Sequence, residues 1–210
     1  MYRIIFAIIL FLSQPSGAAA DSYDDLLSAV KSNDLEAAEA LFARGMDVNT
    51  VDAGGNSLLM ISVNAGHLEL VERLLARHAQ PDIRNQFGET ALMLAAAKGN
   101  LDMVKSLVGH GAKINLSGWN PLIYAAWQGQ TAIVKYLLDE GADIDAVAPN
   151  GTSALMMAAR GGHFDTVKLL LWEDADPDLK TDSGGTALAW ATKEGNSEIV
   201  ELLRQAGAKE

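Results

Sequence analysis

Cysteine is absent from all 210 residues, which excludes disulfides, cysteine-ligated zinc and a lipid-modified amino-terminal cysteine. Basic side chains are short in supply: 16 Lys and Arg face 27 Asp and Glu, a formal net charge of −11. Such a surface repels nucleic acid and anionic lipid, so neither is expected as a partner. The chain has only 4 histidines, and none pairs with another at the i,i+4 spacing of a zinc helix. It has no Gly-x-Ser-x-Gly nucleophile elbow and no glycine-rich phosphate loop with its lysine. The sequence therefore offers no catalytic residue, no metal ligand set and no cofactor motif. Long apolar runs are lacking too, since the longest, at 4–12, falls far below the ~20 residues that cross a bilayer.

That short run has a different meaning. Arg3 precedes it, and Ser13-Gln-Pro-Ser-Gly17 and then Ala18-Ala-Ala20 follow. A basic start, an apolar stretch and a small-residue exit predict a secretory signal peptide at 1–20, cut after Ala20. The domain is then 21–210, periplasmic, with no membrane insertion after cleavage and monomeric when free. An exported domain without cysteine must find its stability in its core.

What is present is repetition. Gly55-Asn-Ser-Leu-Leu59, Gly88-Glu-Thr-Ala-Leu92, Gly118-Trp-Asn-Pro-Leu122, Gly151-Thr-Ser-Ala-Leu155 and Gly184-Gly-Thr-Ala-Leu188 share one register. Their leucines step by 33, 30, 33 and 33 residues, and Leu26 lies another 33 upstream. Each copy continues to a Gly-His, Gly-Asn or Gly-Gln pair, then to a second apolar stretch. The third copy shows the physical grammar. Thr90 can cap a first helix with its hydroxyl, Leu92, Ala95 and Ala96 share one helical face, and Gly99 stops the helix. A second helix is predicted near 101–109, with Val104, Leu107 and Val108 inward.

A period of 33 with Thr-x-Leu, paired alanines, Gly-His and a closing Leu-Leu-x-x-Gly-Ala resembles the ankyrin repeat. The resemblance covers nearly everything after residue 21. It implies an all-α repeat solenoid of helix-turn-helix pairs with hairpin-like turns, in about six copies at 22–51, 52–84, 85–115, 116–147, 148–180 and 181–210. The end copies are polar, as caps of a stacked array must be. It also implies a concave face of first helices and turn tips on which partner proteins bind, and a structural role for His67 and His163 in bonding neighbouring repeats. His78 and His110 fall near the ends of second helices, where a ring can donate to free carbonyls.

The short step of 30 marks a truncated turn. From the glycine closing one repeat to the glycine opening the next takes ten residues after Gly45, Gly141 and Asp174 (Asp in the glycine position), but only seven from Gly111 to Gly118. Large side chains gather around it. Trp119 follows Gly118 at the turn tip, and Trp127 lies five residues after Leu122, about 140° around the helix from that core position. Phe87 is at the preceding tip, while Arg160 and Lys193 take the Trp127 position in later repeats. Trp and Arg dominate many interfaces, so Phe87, Trp119, Trp127, Gln128, Arg160 and Lys193 form the expected partner-binding set. Tyr124, Trp190 and Tyr136 are expected in the core, with Met60, Met93, Met156 and Met157 as core filler. Trp172 is expected on the convex side.

Small exported bacterial ankyrin proteins, which this chain resembles, imply a partner that is an exported hydrolase or toxin, such as a cell-wall peptidase or lipase, inhibited for self-protection. The alternative implied role is an accessory scaffold in periplasmic oxidative-stress defence.

Overall fold

The computed structural model describes residues 16–209, with side chains from Ser22 onward. The predicted leader at 1–20 therefore lies outside the described residues, apart from a stretch of helical backbone at 16–20. Twelve helices follow one another among the described residues: α1 (Ser16–Ser32), α2 (Leu35–Ala43), α3 (Leu58–Ala65), α4 (Leu68–Ala76), α5 (Ala91–Lys98), α6 (Leu101–Gly109), α7 (Pro121–Trp127), α8 (Thr131–Asp139), α9 (Ala154–Gly161), α10 (Phe164–Trp172), α11 (Ala187–Glu194) and α12 (Ser197–Gln205). They form six helix-turn-helix pairs joined by extended turns, as the period requires. No strand forms among the described residues; single antiparallel bridges, Val51 with Ser57 and Val147 with Ser153, mark the turn bases.

Helices this short would not persist alone in water, so their ends must be fixed from outside. The side chains of Ser57, Thr90, Asn120, Ser153 and Thr186 each accept a hydrogen bond from the backbone N–H three residues on, at 3.0–3.4 Å. Asn120 keeps the cap where Ser or Thr stands elsewhere, and Pro121 adds a preset φ at the first helical position.

The core is one continuous seam. Leu26, Leu59, Leu92, Leu122, Leu155 and Leu188 are buried at successive layers, and Ala95, Ala96, Ala125, Ala126, Ala158 and Ala159 are fully enclosed between first helices. Alanine leaves so little bulk that the first helices pack close, while the second helices carry Leu, Val and Ile and stay further apart. The stack therefore bends toward the first-helix side. Met60, Met93, Met156 and Met157 are buried in it, as expected of gap-filling residues. Val108, expected inward, is only partly covered because it sits near the open end of α6.

Two hydrogen-bond ladders tie the repeats together. At the turn bases, Asn49, Asp82, Asn115, Asp145 and Asp178 each accept at Oδ1 from a backbone N–H of the next repeat (Gln80, Lys113, Asp143, Asp176 and Lys209) at 2.8–2.9 Å. This is why acidic and amide side chains recur at those positions. On the first-helix side, a residue just before or at the start of a second helix reaches back to the preceding repeat. His67 Nε2 lies 3.2 Å from the Lys31 carbonyl, and His163 Nε2 lies 2.8 Å from that of Trp127. Gln130 Nε2 donates to the Ala97 carbonyl at 3.3 Å, and Asn196 Nδ2 to that of Ala159 at 2.9 Å. The inter-repeat role expected for His67 and His163 is thus present, with Gln130 and Asn196 as equivalents. His110 Nδ1 meets the Ser106 carbonyl at 2.8 Å, at the end of α6. His78 adopts φ 61°, the left-handed turn held by glycine in most other repeats.

Candidate functional site

The turn tips divide into two classes. Those at 52–55, 85–88, 148–151 and 181–184 are closed by a backbone bond from the fourth residue to the first, at 2.8–2.9 Å. Two neighbouring pairs are also stitched together: Gln86 N–H donates to the Gly54 carbonyl at 3.2 Å and Asp182 N–H to the Asn150 carbonyl at 3.0 Å. The fourth repeat lacks three residues at this place and forms no such stitch among the described residues. Asn115, the last residue of the third repeat, still holds the base of the turn, donating from Nδ2 to the Gly141 carbonyl at 2.8 Å. The ladder at the base is intact while the tip is lowered.

Three aromatic rings occupy the resulting recess. Trp119 and Tyr124 meet edge to face at 6.1 Å between centroids, and Tyr124 and Trp127 do the same at 6.4 Å. Trp127, the last residue of α7, is 48% exposed on the first-helix face. Trp119 is not the free tip residue expected from sequence: it is partly buried and packs on the core, covering what the missing turn residues would cover. Tyr124, expected in the core, also stands differently. It is partly buried, and its hydroxyl donates to Glu89 Oε1 at 3.1 Å. Burial, then the Glu89 charge and that hydrogen bond, push the Tyr124 phenol up to about 12. Asn85, itself buried, donates from Nδ2 to Glu89 Oε2 at 2.9 Å, so the carboxylate is held in place by the turn of its own, third repeat.

The other expected site residues are placed as follows. Phe87 projects from the third-repeat tip, 76% exposed, with no ring partner among the described residues. Gln128 is exposed as the C-terminal cap of α7. Arg160 is not free: its guanidinium carbon lies 5.5 Å from the centroid of the Trp190 ring, and its Nε lies 3.8 Å from Glu194 Oε1. Lys193 is exposed on α11, two repeats from Trp127, and is not joined to the rings. Trp190, expected in the core, is half-buried beneath Arg160. Tyr136 packs partly against the second-helix layer, with Lys105 Nζ 5.9 Å from its ring centroid. Trp172 ends α10 and is 82% exposed.

Sequence reasoning missed Glu89, Tyr124 and Trp190 as parts of this face. A signal existed: Tyr124 and Trp190 lie two residues after the core leucine, the register of Leu94, which is also only partly covered. No group of three or more His, Asp or Glu side chains converges as a metal site among the described residues.

A repeat array with this helix-turn-helix period and these inter-repeat ladders is a scaffold for an exposed face. The family model for ankyrin repeats, in three copies, matches residues 59–148 and 140–210. The chain belongs to the ankyrin-repeat family. Solved structures agree with the fold. The ankyrin repeat domain from Acinetobacter baumannii AYE matches with a TM-score of 0.77 and 27% identity, covering 88% of this chain and 98% of that one. The human ASB11 ankyrin repeat domain matches with a TM-score of 0.79 and 29% identity, covering 88% of this chain and 84% of that one. No curated protein matches. Ankyrin arrays bind other proteins and are typically non-catalytic scaffolds. Among the described residues no helix is long and apolar enough to cross a membrane.

Proposed function

We propose that this protein captures a partner protein on its first-helix face at the fourth repeat, and that the partner is an exported hydrolase or toxin held inactive in the periplasm. The observation that carries the docking site is Trp127. An indole 48% exposed, buttressed by Tyr124 and clamped at its own carbonyl by His163, is a rigid apolar anchor on a stiff frame. Trp119 is linked to it through the Tyr124 ring, Gln128 follows it in the chain, Arg160 takes its register one repeat on, and Phe87 stands exposed at the preceding tip. The position of the expected leader supports export. Among the described side chains of α1, cleavage after Ala20 leaves in place all the buried ones (Leu26, Leu27, Ala29 and Val30) and the Tyr23 hydroxyl bond to the Val51 carbonyl at 2.7 Å. The role as an inhibitor, rather than as a scaffold in oxidative-stress defence, fits the methionines: five of them (Met60, Met93, Met103, Met156 and Met157) are buried in the core and unavailable to react with peroxide.

The test begins with affinity capture from a periplasmic extract, using the protein and its Trp127→Ala variant as baits. A protein retained by the first is then purified, its enzymatic activity is measured, and its affinity for both baits is determined by calorimetry. Loss of activity on binding, with affinity about tenfold or more weaker for the variant, is the expected result. Equal affinity for both baits refutes the site, and undiminished activity in the complex refutes inhibition.

A further inference from the structure

The chemistry of the recess says more about its occupant. One repeat beyond it, the chain completes a three-part arrangement of its own: an indole (Trp190), a guanidinium over it (Arg160, 5.5 Å) and a carboxylate beside the guanidinium (Glu194, 3.8 Å). At the truncated turn the first and third parts recur without the second. Trp119, Tyr124 and Trp127 supply the rings, and Glu89 supplies the carboxylate, hydrogen-bonded to the ring set through the Tyr124 hydroxyl. Among the described residues no cation lies over any of these three rings, and Glu89 makes hydrogen bonds with Asn85 and Tyr124 but no ion pair.

We infer that the recess at the fourth repeat receives a cationic side chain, an arginine or lysine presented by a basic segment of the partner protein. This rests on the reading of that face as the docking site and specifies what it takes.

Three physical points converge on it. An ionised carboxylate offers about four lone-pair sites, and Asn85 and Tyr124 use two of them, leaving acceptors for a donor from outside. Indole is the ring most strongly attracted to a cation, and a guanidinium also stacks on its face. The chain's net charge of −11 steers a basic segment toward it and disfavours an acidic one. An acidic or purely apolar occupant would leave Glu89 facing either a like charge or nothing, at a cost in desolvation.

The experiment follows the four indole N–H signals of the ¹⁵N-labelled protein at 0.15 M salt, assigned by single Trp→Phe variants. The protein is titrated separately with a hexa-arginine, a hexa-glutamate and a neutral leucine–serine peptide. The expected result is that hexa-arginine shifts the Trp127 and Trp119 signals and leaves Trp172 unmoved, while hexa-glutamate shifts none. Glu89→Gln, which keeps an acceptor for Tyr124, should weaken the arginine peptide about tenfold. Glu72→Gln, the same charge change at an exposed position on α4, should stay within twofold. Equal weakening by the two variants overturns the inference, because diffuse attraction to an acidic surface then explains the binding. A neutral peptide that moves Trp127 where hexa-arginine does not also overturns it, but leaves the docking face itself standing. The docking face fails only if Trp127→Ala leaves capture of the natural partner unchanged.

Discussion

The third and fourth repeats share a plan and differ by three residues at one turn. In the third, the full tip at 85–88 bonds to the tip before it, and the residue after the opening glycine is a carboxylate, Glu89, held by Asn85. In the fourth, the tip is lowered, the equivalent residue is Trp119, and the indole packs down on the core. Everything beneath the tip is the same in both: the capped first helix, the enclosed alanine pair and the side-chain acceptor that links one turn base to the next. The lesson is that stability and recognition occupy different layers of the repeat. The base can lose its tip because its own hydrogen bonds do not pass through it.

The largest effects that sharpen this comparison come from glycine substitutions. Gly151 (φ 79°) sits in a stitched tip, where an added Cβ would lie 2.9 Å from the Lys180 carbonyl oxygen. Gly118 (φ 87°) opens the lowered turn, where the nearest atom, Pro149 Cγ, would be 3.6 Å away. Both replacements force a side chain into the left-handed region, but only the first also clashes with backbone. Gly151→Ala should cost about 3 kcal/mol and Gly118→Ala about 1 kcal/mol in urea unfolding. Equal losses would show that the stitched tips add nothing.

The two indoles of the fourth repeat supply the next contrast. Trp119 covers core, so Trp119→Ala should destabilise by about 2 kcal/mol. Trp127 rests half in solvent, so Trp127→Ala should stay within about 0.5 kcal/mol of the parent. If the order were reversed, the division between covering residue and anchor would be wrong.

A smaller effect concerns Tyr124. Its phenol is held up to about 12 by burial, then by the Glu89 charge and hydrogen bond, above the ordinary value of 10.0. Since the folded value is the higher one, the neutral phenol's contribution to stability is complete below pH 10 and is lost as pH rises toward 12. Tyrosinate absorbance should therefore show a late step that Tyr124→Phe removes, distinct from that of Tyr136, which burial also raises, and Glu89→Gln should bring the Tyr124 step to lower pH. A Tyr124 step unmoved by Glu89→Gln would remove the Glu89 contact from the account.

The fold was legible because it depends on spacing. A leucine every 33 residues, small pairs between helices and glycine at helix ends are one-dimensional signals that each demand a specific local geometry. The truncated turn could be read for the same reason, as a step of 30. What could not be read was how side chains settle around the gap. Trp119 folds onto the core because the missing turn residues leave apolar surface to cover, and a residue count does not reveal that surface. Tyr124 and Glu89 meet across 35 positions of sequence, a contact set by how two repeats stack rather than by either repeat alone. Arg160 had the right register for the face, but the Trp190 ring and Glu194 beside it already hold its charge.

One comparison of affinities tests the central claim most directly. Once the partner is purified, calorimetry would set Trp127→Ala against Trp172→Ala, two exposed indoles on opposite layers of the stack. The account predicts that losing Trp127 weakens binding about tenfold or more, whereas losing Trp172 leaves it within twofold. If Trp172→Ala caused the loss and Trp127→Ala did not, docking on the first-helix face would be contradicted.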